Sequence, residues 1–180
     1  MDDCGEKPGM TKPEAWMRGP VEGVHPLLMP AAHALIGAAE DMEAAAVGLS
    51  NDELWAKPGG AASVGFHLAH AAGSLDRLLT YARGEALSEE QFAYLRAEQD
   101  PGDPPRTAAD LVGAMHAAVE RALAQIRATS PDTLLEFRGV GRQQLPSNVL
   151  GLLFHAAEHT QRHTGQVITT ARIVRGLAGR

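Results

Sequence analysis

The chain has 180 residues, enough for one domain with its own core and short of what two full domains need. Hydrophobic residues make up 44 % and can supply that core, while aromatics reach only 4 % and Ala and Leu abound, a mixture that favours packed helices over sheets. A formal charge of −6 argues against the basic stripe a nucleic-acid partner requires, and no apolar run of about 18 residues offers a membrane span.

Residues 1–19 are rich in Gly, Pro and charge and read as a flexible N-terminal arm, with residues 20–180 as the single domain. The start, MDDCGEKPGM, lacks the apolar stretch of a secretory leader, so a soluble, cytoplasmic protein is expected. Cys4, the only cysteine, lies in the arm and has no partner for an internal disulfide.

Apolar residues recur at helical spacing from Val21 to Val47, and Pro26 and Pro30 delay the regular helix to about Met29. Ser50 and Glu53 form a capping box that opens one helical turn. Ser63 is the expected cap of a second long helix, which ends at Gly84. Ser88 and Gln91 cap a short helix in the same way, before the break Asp100-Pro101-Gly102-Asp103-Pro104-Pro105. Thr107 then opens a third long helix. Residues 130–146 are irregular, with Leu134–Phe137 as a short candidate strand, and Ser147 is the expected cap of a fourth long helix running to about Gly176. Four long amphipathic helices joined this way predict an all-α four-helix bundle with short extra helices in the connections.

The chemistry concentrates in two stretches. In Phe154–Gln166, His155, His159 and His163 stand four residues apart, so on a helix they form one stripe. An i, i+4 histidine pair on one face suits a divalent metal. The zinc-protease helix also places Glu directly after its first His, and Ala156 and Thr160 stand there instead, which excludes that chemistry. Upstream, His67 and His70 form an i, i+3 pair on the second long helix. Two such helices face to face make a three-histidine site with open coordination positions, the mark of catalytic rather than structural metal binding. Spacing alone leaves open which three of the five histidines bind. His25, His33 and His116 lack a partner at helical spacing and read as surface or core residues. Glu158 reads as an ion-pair partner of Arg162 at i+4, and Asp76-Arg77 as a tie from the second long helix to its neighbours. Gly165 reads as the site of a close helix or partner approach, since a mid-helix Gly costs up to about 1 kcal/mol against Ala.

The segments His70-Ala71-Ala72-Gly73-Ser74, Ser74–Tyr81 and His159-Thr160-Gln161-Arg162-His163-Thr164-Gly165-Gln166 resemble the DinB/YfiT-like superfamily, over most of the chain from Trp16 to Arg175. The resemblance implies a four-helix bundle, a homodimer, and a divalent metal (Zn, Ni or Fe) on His70, His159 and His163. His67, His155 and Gln166 are then second-shell or alternative ligands. Branches of this superfamily are thiol-dependent transferases, so the resemblance implies a low-molecular-weight thiol as cosubstrate and a small electrophile as substrate. A metal-dependent hydrolase and a non-catalytic metal-binding stress-response module are the alternatives.

Overall fold

The structure, a computed structural model, describes residues 12–179. Its elements are α1 (Met29–Ala46), α2 (Asn51–Trp55), α3 (Val64–Ala82), α4 (Glu89–Ala97), α5 (Ala108–Ala128), strands β1 (Phe137–Val140) and β2 (Leu145–Asn148), and α6 (Val149–Leu177). The fold is all-α apart from one small hairpin. The long helices pack in a ring, with α1 and α3 each lying against both α5 and α6.

Local chemistry sets most of the boundaries. Pro30 sits in the first turn of α1, where its missing N–H costs nothing. The Ser50–Glu53, Ser88–Gln91 and Thr107–Asp110 pairs close reciprocal capping boxes at the starts of α2, α4 and α5. Ser63 Oγ accepts from Phe66 N at 3.1 Å to start α3, and Gly84, at φ +79°, lets the chain turn away after its end.

The start of α6 corrects the sequence reading. Its cap is Asn148, whose Oδ1 accepts from Gly151 N at 2.7 Å, and not Ser147. The hairpin keeps the chain extended through Ser147, opposite Arg138, to Asn148, opposite Phe137, so the helix begins only after Asn148. The strand expected at Leu134–Phe137 starts instead at Phe137, since Leu134 closes a 3-10 turn and buries its side chain in the core.

Leu35 and Met42 of α1, Leu68 and Leu75 of α3, Met115 and Ile126 of α5, and Leu153 and Val167 of α6 fill the core. Alanines such as Ala32, Ala39, Ala71, Ala122, Ala156 and Ala171 are buried between them. Such short side chains let helix axes approach to the lower end of the usual range of about 8–10 Å. α3 and α6 lie against each other, and their histidine-bearing faces meet there. A Cβ added at Gly165 would meet no heavy atom of another element within 4 Å, so the close helix approach expected there is not found among the described residues.

Of the arm expected over residues 1–19, residues 1–11, Cys4 among them, lie outside the described residues. Ala15 is buried in a short 3-10 turn, and Arg18 and Lys12 both pair with Glu40 of α1. No helix among the described residues is long and apolar enough to cross a membrane.

Candidate metal centre

Histidines from α3 and α6 meet where those two helices pack. One nitrogen from each of His70, His159 and His163 lies within 4.8 Å of the others. His70 Nε2 and His159 Nε2 are 3.2 Å apart. Two lone pairs cannot face each other at that distance unless a proton or a cation lies between them. Imidazole nitrogens about 2.1 Å from one zinc ion stand at most about 4.2 Å apart, so this pair already lies within the span of a shared ion.

Outer contacts hold two of the three rings. His70 Nδ1 is 2.7 Å from Glu98 Oε2, and Glu98 Oε1 accepts from Arg77 Nη1, also at 2.7 Å. A carboxylate paired with a guanidinium only accepts, so Nδ1 of His70 carries its proton and Nε2 keeps its lone pair turned to His159. His163 Nδ1 is 3.1 Å from His67 Nδ1. If His163 donates in that contact, its Nε2 is likewise left free to bind an ion. His159 differs: its Nδ1 is buried and has no hydrogen-bond partner among the described residues.

The electrostatics favour neutral rings. Burial, reinforced by the neighbouring His70, His159 and His67, pushes His163 down to about 3. Burial followed by His70 also lowers His67, and the same two causes lead in lowering His159. Neutral imidazoles are the form that ligates a cation. These donors fit a borderline metal such as Zn, Ni or Fe.

The other sequence candidates stand around the cluster. His67 is buried behind His163, as an outer partner. The side chain of His155 is 49 % exposed, its Nδ1 lies 3.2 Å from Glu158, and its ring is 5.6 Å from that of His159. It stands at the rim. Gln166 is exposed and its side chain makes no hydrogen bond among the described residues; helical geometry puts it on the His155–His159 side of the stripe, one turn beyond His163. Glu158 pairs with Arg162, as the i+4 spacing predicts. His33, His116 and His25 lie elsewhere, bonded to Gly19 O, Glu43 and Leu27 N. Phe66 stacks on His70 with ring centroids 5.3 Å apart. His163 is buried while His70 and His159 are half-buried, so the cluster opens along the His70–His159 edge.

The sequence model of the DinB superfamily matches residues 34–167, a span that includes all five clustered histidines. The chain belongs to the DinB superfamily. Among curated proteins the chain has no match.

Sequence reasoning missed Glu98. It is 2 % exposed, among the most buried polar residues of this DinB-superfamily chain, yet it follows a helix that buries nothing else. No local pattern marks it. The available signal was Arg77, seven residues after His70 and so on the same face of α3, where a buried guanidinium demands a carboxylate.

Proposed function

We propose that this chain is a divalent-metal-dependent enzyme that uses a low-molecular-weight thiol to attack a small electrophile. In that reaction a sulfur–carbon bond forms, the leaving group departs with its electron pair, and the thiol proton is released. The observation that carries the proposal is the convergence of His70, His159 and His163 from two helices, two of them backed by outer hydrogen-bond partners. Family membership supports the thiol half.

His70, His159 and His163 would hold the ion, and three neutral ligands leave it the full positive charge that favours the ionised form of a thiol. Glu98 fixes the tautomer of His70, and His67 orients His163. Phe66 gives the open edge an apolar wall that suits a partly apolar electrophile. The Zn or Ni identity, the homodimer and the cytoplasmic location belong to the same proposal and rest on the family resemblance.

The test loads metal-free protein with Zn, Ni or Fe(II) and follows consumption of simple thiols with an aryl halide or an epoxide. Metal-dependent turnover that disappears in His163→Ala, with helicity unchanged, is expected. Folded, metal-loaded protein that consumes no thiol refutes the transferase reading. If chelation also lowers its melting temperature strongly, the metal is a structural clamp.

A further inference from the structure

Between Ala82 and Leu111 the only buried residue is a charged one, Glu98. This segment includes α4, none of whose nine residues is fully buried. Beneath α4, between α3 and α5, lies a cavity of about 350 Å³, bordered by Gly73, Arg77, Tyr94, Ala117 and Arg121. An element that leaves space behind it and buries little apolar surface gains little docking energy from the hydrophobic effect. Its attachment to α3 rests on the Tyr94 ring seated on Gly73 and on polar contacts at its two ends. At the start, Gln91 Nε2 donates to Asp76 Oδ2 at 2.5 Å and to Thr80 Oγ1 at 2.8 Å. At the end, Glu98 bonds both Arg77 and His70.

We propose that Glu98 is a positioning residue that links metal occupancy of the three-histidine cluster to the docking of α4. The proposal rests on the reading of that cluster as a metal site. With a cation held by His70, the Nδ1–H of that ring would be a stronger donor to Glu98 and would draw the last turn of α4 against α3. The converse follows from linkage: docked α4 holds Glu98 in place, fixes the tautomer of His70, and raises metal affinity by the same factor. Arg77 holds the carboxylate in its orientation through a 2.7 Å contact to Oε1. Gly73 is the floor on which both Glu98 and the ring of Tyr94 rest.

The experiment titrates zinc into metal-free full-length chain against a chromophoric chelator and measures hydrogen exchange of the Glu89–Ala97 amides with and without zinc. In the unsubstituted chain zinc slows exchange across α4 severalfold. Glu98→Ala weakens zinc binding by roughly 10–100-fold and removes that slowing. If Glu98→Ala does not fold, Glu98→Gln serves, with a smaller loss in the same direction. Gln91→Ala, which loosens the far end of α4 and touches no histidine, also weakens zinc binding severalfold. A merely structural Glu98 would lower thermal stability without moving either readout. Zinc affinity within twofold in the Glu98 variants, or α4 exchange indifferent to zinc, overturns the linkage and leaves the metal site standing. An unsubstituted chain that binds no metal overturns both.

Discussion

Gly73→Ala is a sensitive probe of how tightly α4 sits on α3, the helix that carries His70. A methyl group there would stand 2.6 Å from Glu98 Oε1 and 2.6–2.7 Å from two ring carbons of Tyr94. Carbon contacts settle near 3.5–4.0 Å, so α4 must retreat by about 1 Å. Neither neighbour yields freely, because Glu98 is pinned by Arg77 and His70 and the Tyr94 ring is half-buried. Replacing a mid-helix Gly gains up to about 1 kcal/mol from propensity. Overpacking costs about 1–3 kcal/mol, and straining charge-assisted bonds at Glu98 adds about 1.5–3 kcal/mol for each one lost. With one such bond lost the net is a loss of about 2–5 kcal/mol, or a fall of about 4–20 °C in Tm for a chain of this size. Gly113→Ala on α5, with nothing within 4 Å, is the control and should raise Tm by about 2–4 °C. Thermal melts of metal-free protein followed by far-UV circular dichroism read both. A Gly73→Ala protein that melts at or above the unsubstituted chain would refute the packing described at this contact.

Three further outcomes are expected. His67→Ala removes the outer partner of His163 and should weaken metal binding roughly 10–100-fold while leaving stoichiometry intact at high metal, which chelator competition measures; complete loss of metal would make His67 a ligand. Hydrogen bonds from Arg18 and then Lys12 hold the Glu40 carboxyl at about 2 against an ordinary 4.5, so its stabilising share is complete above pH 4.5 and is lost as pH falls toward 2. Glu40→Gln should flatten that part of the Tm–pH curve, and parallel curves for the two proteins would contradict it. Trp55→Phe loses the bond from Trp55 Nε1 to Arg106 O (3.0 Å) and should lower stability by about 1 kcal/mol in urea unfolding, with an unchanged midpoint as the contrary result.

What could be read from the sequence was whatever a few neighbouring residues decide. The Ser50, Ser63, Ser88 and Thr107 caps each need only a side chain and a backbone N–H three residues on. The histidine stripe was legible because helical periodicity alone puts His159 and His163 on one face, and the structure brings His70 to them from α3. Long-range choices were hidden. Ser147 and Asn148 are both good caps, and only the hairpin register, whose last pair is Phe137 with Asn148, decides that the helix starts after Asn148. His67 and His70 stand one turn apart, and only the way α3 faces α6 puts His70 among the converging nitrogens and His67 behind His163. Glu98 was invisible for the same reason, since its burial follows from Arg77 and His70 on another helix.

Metal content of purified chain, prepared without chelators or affinity-tag nickel, tests the central claim most directly, beside His70→Ala and His159→Ala. About one divalent metal per chain, lost from both variants while helicity persists, is the predicted result. No metal in the unsubstituted chain and no uptake of added Zn, Ni or Fe would contradict the metal-site account.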